Sequence, residues 1–244
     1  MKNDSQIIVS TDIDWASDWM LEYFFDLVLA KVPKVLAFST HNTKILEKYH
    51  SQGFVDIGAH PNFRKGSSHG SNIKEVAEFV SNLFITKKIY RAHGLLDSKE
   101  IRSEMKRNGF TYESNVLNYN EPDLLPKKLE ENILRIPIFW SDGWALRDPT
   151  YQVSGLCEKS IEETKFFLKQ PGLKVLNIHP ILLVNNCYSL QHYEKFRTRT
   201  VNFSRDDYYE FRNVETLGTC DYFFELIKII ESHCNFLSIE DIIS

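Results

Sequence analysis

The sequence predicts a single α/β domain in which about seven strands form a barrel-like arrangement, with an open doubly wound sheet as the alternative. Two observations carry this. Short apolar runs alternate with stretches of helical periodicity, separated by short turns. Several of those runs also end in Asp, Arg or His, in STDID, VDIGAH, IYRAH, IFWSD and LNIHP. Either architecture collects such residues at the C-terminal ends of its strands, where α/β proteins build their sites.

Taken in order, residues 7–10 read as a buried strand. Apolar residues at Trp15, Trp19, Met20, Phe24, Leu27 and Val28 then follow at close to helical spacing, until Pro33 stops the helix. Residues 35–39 form a second strand. Asn42 or Thr43 caps a helix running to about Gln52, Gly53 breaks the chain, and residues 54–59 form the third strand. The polar, glycine-bearing run HPNFRKGSSHGS (residues 60–71) is a loop, after which Ser71 or Asn72 caps a helix over residues 73–84. Residues 89–92 are a fourth strand. Ser98 opens a helix that Gly109 ends, and residues 111–115 are a short strand. Residues 118–131, with Pro122 and Pro126, form a crossing loop. In the apolar strand 133–140, Pro137 signals an irregularity or an edge. A surface connection (141–155), a helix (158–170) and a strand (173–178) lead to His179-Pro180. An excursion or lid over residues 182–213 contains the basic run EKFRTRTVNFSRDDYYEF, and a helix over 216–232 and a short tail over 236–243 finish the chain.

Composition narrows the class. A chain of 244 residues, 43% apolar and 25% charged, has the material for one large core. With 29 basic against 33 acidic residues the net charge is -4, which gives no electrostatic case for a nucleic-acid partner. The 17 Phe, 11 Tyr and 4 Trp are mostly core by default, and some are available to line a sugar-binding cleft. Cys157, Cys187, Cys220 and Cys234 form no CxxC pair and read as free thiols in a reducing compartment. MKNDSQIIVS is not a signal peptide and no stretch reaches membrane-spanning length, so the expected location is the cytoplasm without an integral membrane segment. The oligomeric state stays open.

Asp12 and Asp14 follow the first strand. If both are extended they point to the same side. Burying two carboxylates together is costly unless a cation or strong hydrogen bonds offset it; the bland reading is a strand-end cap. His60 and His69 are imidazoles able to hold zinc, iron or nickel, and Asp-His-His leaves positions open for water and substrate. His69 reads equally well as an exposed loop residue. His179 can protonate a leaving group, act as a further ligand or sit in the core. Arg91 can hold Asp12, Asp142 can pair with His179 and raise its pKa, and His93 can touch substrate or tune a ligand.

These stretches together resemble the polysaccharide deacetylase superfamily. STDID resembles its first motif, Thr-Phe-Asp-Asp; DIGAHPNF with SSHG resembles the two-histidine second; YRAHG resembles the arginine-bearing third; FWSDGW and LNIHP fall where the last two belong. The chain departs in having Ile13 between its aspartates, a longer gap between His60 and His69, and Ala-His after Arg91. The resemblance implies a distorted seven-stranded (β/α) barrel and a metal-dependent hydrolase that removes an N-acetyl group from an amino sugar or glycan precursor, in a branch of cell-surface polysaccharide biosynthesis. It implies one divalent ion, zinc by preference, on Asp14, His60 and His69. It assigns Asp12 as base, Arg91 as its orienter, and His179 with Asp142 as the acid. Trp140 and Trp144 are expected against the sugar with His93. The alternatives are a glycoside hydrolase using paired carboxylates and a catalytically inactive carbohydrate-binding or assembly protein. In that last case the basic stretch 195–205 would meet an anionic glycan, a lipid head group or a protein; otherwise it is a solvated loop.

Overall fold

The apolar run that opens the chain becomes the centre of one curled sheet. In a computed structural model, which describes residues 5–148 and 156–243, the first half of the chain forms β1 (Ser5–Asp12), α1 (Asp18–Leu29), β2 (Val35–Ser39), α2 (Lys44–Ser51), β3 (Val55–Ala59), α3 (Ile73–Ser81), β4 (Ile89–Tyr90), α4 (Lys99–Arg107) and β5 (Tyr112–Glu113). Capping chemistry sets the helix starts. The side chains of Ser17, Thr43, Asn72 and Ser98 accept the backbone N–H groups of Met20, Ile45, Glu75 and Ile101. The first helix therefore begins at Asp18, three residues later than its apolar spacing predicts.

The second half contains β6 (Lys127–Lys128), β7 (Leu134–Arg135), β8 (Ile138–Ser141), α5 (Asp142–Ala145), α6 (Glu158–Leu168), β9 (Gly172–Ile178), α7 (Pro180–Val184), α8 (Leu190–Glu194), α9 (Arg205–Phe211), α10 (Thr219–His233), β10 (Asn235–Phe236) and α11 (Glu240–Ile243). The expected excursion over 182–213 is thus largely helical. Part of the expected connection 141–155 and the polar start of the chain lie outside the described residues.

The strand order is β6-β7-β5-β4-β3-β2-β1-β9-β8, with β10 beside the start of β1, and every pairing is parallel except β6 with β7. Pro137 explains how the curl closes. It divides the expected strand 133–140 where a backbone N–H is missing. The half before it, β7, pairs with β5, and the half after it, β8, pairs with β9. Ile138 also bonds across to the chain after β5, through its N–H to Val116 O and its O from Asn118 N–H, both 2.8 Å. One interrupted strand thereby joins both ends of the curl, which is a distorted (β/α) barrel.

Strand alternation then separates core from site. Ile8, Leu36, Ile89 and Val175 belong to one buried apolar cluster. Two and four residues further along the same strands come Ser10 and Asp12, Arg91 and His93, and Asn177 and His179. Outside the sheet, α1, α6, α7 and α10 cover it with Met20, Phe24, Ile161, Leu183, Tyr222 and Leu226. Among the described residues no helix is long and apolar enough to cross a membrane.

Gly58 in β3 is where strands approach too closely for a side chain. A Cβ there would lie 2.8 Å from both Cγ2 and the carbonyl oxygen of Ile89, and 3.2 Å from Phe38 Cδ1. Gly58→Ala is expected to destabilise the fold by about 1–3 kcal/mol through overpacking, read as a lower midpoint in chemical denaturation.

Candidate active site

Asp12 is the last residue of β1, and the chain then turns sharply. Asp14 and Trp15 both have left-handed backbone, with φ of 41° and 56°. A tryptophan there is strained by on the order of 1–3 kcal/mol. Three hydrogen bonds hold the turn: Ile13 N–H to Phe38 O (3.2 Å), Ala16 N–H to Ile13 O (2.7 Å) and Trp15 N–H to Thr40 Oγ1 (3.2 Å). The turn swings the Asp14 carboxylate back over the strand end. The two aspartates meet through this turn and not through the extended alternation that the sequence suggests.

Asp14 Oδ1 lies 3.2 Å from His60 Nε2 and 3.0 Å from His93 Nδ1. One donor atom from each of Asp14, His60 and His93 lies within 4.8 Å of the others, a set that can hold a metal ion. Two imidazoles and a carboxylate suit zinc and leave room for further ligands. The other nitrogen of His60, Nδ1, is buried without a hydrogen bond and faces Asp12 Oδ1 at 3.8 Å. Burial would raise the Asp14 carboxyl, but its hydrogen bonds to His60 and His93 overcome this and hold it far below the usual carboxylate range.

His69, the expected third ligand, is outside this set. Its Nδ1 accepts the Asn62 N–H at 3.1 Å, closing the loop after β3 on itself. Its ring stacks on Phe79 at 4.6 Å, and burial lowers its pKa to about 4. His93 joins the Asp14 and His60 group because the chain beyond β4 stays alongside β3, with Arg91 N–H bonded to Ala59 O and His93 N–H to Pro61 O.

Asp12 is fixed from two sides. Arg91 Nη1 donates to its Oδ1 at 3.1 Å and Asn177 Nδ2 to its Oδ2 at 2.9 Å. Arg91 is fully buried; it also donates to Ser10 Oγ, Asn177 Oδ1, Ser114 Oγ and Ser114 O, and its guanidinium lies 4.2 Å from the centre of the Phe38 ring. Burial would raise the Asp12 carboxyl; Arg91, with His60 and His179, outweighs it and keeps Asp12 below the usual range. Sequence reading missed Ser10, Ser114 and Asn177. Two of them had a signal, since Ser10 and Asn177 precede Asp12 and His179 by two residues on the same strand faces.

The opposite wall carries the other pair. His179 Nδ1 and Asp142 Oδ1 are 2.6 Å apart, and the His179 backbone N–H donates to Asp142 Oδ2 at 2.7 Å. His179 Nε2 points between the aspartates, 3.6 Å from Asp12 Oδ2 and 3.9 Å from Asp14 Oδ2. Burial opposes charge on this ring, but Asp142 more than compensates and raises its pKa to about 9. This pairing stabilises the fold fully below the ordinary histidine value of 6.5 and is lost as pH rises through about 9. In metal-free protein, the His179 ring is expected to titrate near 9 by NMR, with unfolding free energy declining between those values.

Asp12, Asp14, His60, His93 and His179 line a cleft of about 570 Å³. A neighbouring pocket of about 340 Å³ shares Asp12 and His179 and adds Leu95, Leu117, Ile138 and Trp144. Trp144 is 44% exposed and available to a ligand. Trp140, also expected against the sugar, is fully buried and stacks on Tyr222 at 5.2 Å. A register shift between Ile138 and Trp140 interrupts the alternation and turns that ring into the helix layer.

The sequence profile of WbmS-like polysaccharide deacetylases matches residues 9–197, a span that includes every residue of this cluster. Among solved structures, a candidate polysaccharide deacetylase involved in O-antigen biosynthesis (WbmS) from Bordetella bronchiseptica is 25% identical. It matches with a TM-score of 0.77 over 92% of this chain and 90% of that one. A candidate polysaccharide deacetylase from Mycobacterium smegmatis, 14% identical, shares the fold with a TM-score of 0.52 over 97% and 95% of the two chains. No curated protein matches the chain.

Proposed function

The chain belongs to the WbmS-like polysaccharide deacetylase family, and from that premise we propose that it hydrolyses the N-acetyl group of an amino sugar or glycan precursor with the help of one divalent ion, zinc by its donor set. The observation that carries this is the convergence of Asp14, His60 and His93 beside two ionisable groups driven in opposite directions, Asp12 toward the anion and His179 toward the cation. The capture of Asp14 by two imidazoles favours this over glycoside cleavage by paired carboxylates.

An ion held by Asp14, His60 and His93 would polarise the acyl carbonyl and acidify water beside it. Asp12, kept ionised and aimed by Arg91 and Asn177, takes the proton of the attacking water. His179, kept protonated by Asp142, gives the Nε2 proton to the amine nitrogen as the C–N bond breaks. Acetate and a free amine leave. The exposed Trp144 offers a face for the sugar ring.

The O-antigen role of the Bordetella relative supports a surface-polysaccharide precursor as the substrate. The four free cysteines support work in the cytoplasm, and the one sheet running from β1 to β10 supports reading the chain as a single catalytic domain. Metal analysis and acetate release from acetamido sugars test the proposal together. One ion per chain and acetate production that stops with chelator and returns with zinc are expected. A protein that retains no divalent ion and releases no acetate in its presence would sink it.

A further inference from the structure

The catalytic cleft contains more positive charge than the reaction uses. Its acids are already matched: Asp12 by Arg91, Asp14 by His60 and His93, and Glu194 by Arg197. Two more guanidinium groups line the same cleft, Arg64 and Arg147, and among the described residues neither makes an ion pair. The net charge of the chain is -4, so this local excess is not a reflection of overall composition.

Both arginines are exposed side chains that line the cleft with the reacting groups, and each lies over a glycine. Gly94 follows His93 and has left-handed backbone, φ 67°; a Cβ there would collide with Arg64 Nη2. On the other wall, a Cβ at Gly143 would lie 3.4 Å from Arg147 Nη1 and 3.6 Å from His179 Cε1. Arg147 Nη1 donates to the Gly143 carbonyl at 2.6 Å, which holds the guanidinium on the His179 side of the cleft. One guanidinium thus stands next to the metal-ligand side of the cleft and the other next to the acid side. Neither has a part in moving a proton or cleaving the C–N bond. A guanidinium fork is suited to carboxylate or phosphate oxygens.

We infer that the substrate is an acetamido sugar bearing a negative charge of its own, a ring carboxylate or the phosphates of a carrier, held by Arg64 and Arg147 across the cleft. This rests on the deacetylase reading for the identity of the sugar, and the test separates the two by using ligands without an acetyl group. Binding of glucose, glucuronic acid and UDP-glucose to the zinc-loaded protein is measured by calorimetry at low salt. At least one anionic sugar is expected to bind tenfold or more tightly than glucose. The tighter of the two identifies the source of the charge: glucuronic acid for a carboxylate, UDP-glucose for a diphosphate. Arg64→Gln with Arg147→Gln is expected to erase the preference, and the paired lysine substitutions to restore part of it, with unchanged thermal midpoints. Equal behaviour of the three sugars, or a preference that survives in the double glutamine variant, would overturn the inference. A failure to release acetate in the earlier assay would count against the reaction alone.

Discussion

His93→Ala is expected to abolish stoichiometric zinc binding and to lower acetate release by on the order of 10³-fold or more, since a lost ion removes several kcal/mol of transition-state stabilisation. His69→Ala should keep the ion. Its cost is in packing: the ring fills the space between Phe79 and Trp15 and bonds the Asn62 N–H, so its loss loosens the loop after β3. Metal content per chain and acetate release, measured on both variants, separate the two histidines. Loss of zinc in His69→Ala with retention in His93→Ala would reverse the assignment drawn from the cluster of Asp14, His60 and His93.

The same pair shows what a sequence can and cannot disclose. Strand ends are local: an apolar run that stops at a polar residue places that residue at the rim, and so Asp12, Arg91 and His179 were legible one by one. Their partnership was legible as far as Arg91 with Asp12, which reaches across the curl from beyond β4 to β1, and Asp142 with His179, which follow the adjacent strands β8 and β9. The grouping of His93, and not His69, with Asp14 and His60 depends on how the loop after β3 folds, where the Asn62 N–H bonds His69 Nδ1. Nothing in the spacing of histidines announces such a bond. Asp14 is a related case. An extended DxD would have aligned both carboxylates, yet Ile13 is buried in the main core and a left-handed turn carries Asp14 to the same place by another route.

The fold divides along similar lines. Strand positions, the break at Pro137 and the helix caps at Thr43, Asn72 and Ser98 are short-range properties and were readable, whereas the Ser17 cap was not. That Pro137 separates two halves pairing with opposite ends of the sheet is long-range, because it concerns β5 and β9. Trp140 illustrates the consequence. Regular alternation from Ile138 gives it the same face as the cleft, whereas the bulge between them sends it to Tyr222. Arg64 and Arg147 were invisible for a different reason: arginines in polar stretches are ordinary, and their meaning comes from lining the cleft without an ion pair among the described residues.

Asp142→Asn is expected to lower kcat by roughly 10²–10⁴-fold while leaving zinc content intact, the range for losing a positioned general acid. Asp142 is fully buried and, among the described residues, meets His179 and the Gly143 N–H, so its carboxylate is expected to act by keeping that ring protonated and aimed. Removing the negative charge lets burial prevail, and the His179 pKa should fall from about 9 toward or below 6.5. Because the acid works only when protonated, the alkaline limb of the residual kcat/KM profile should move to lower pH. A general loss of folding would instead scale the whole profile without moving that limb. His179→Ala should be as damaging as the pair of substitutions together, since two residues that act as one unit do not lose activity additively. An unmoved alkaline limb in Asp142→Asn, or losses that multiply in the double variant, would mean that Asp142 supports the fold near His179 and not the proton that His179 delivers.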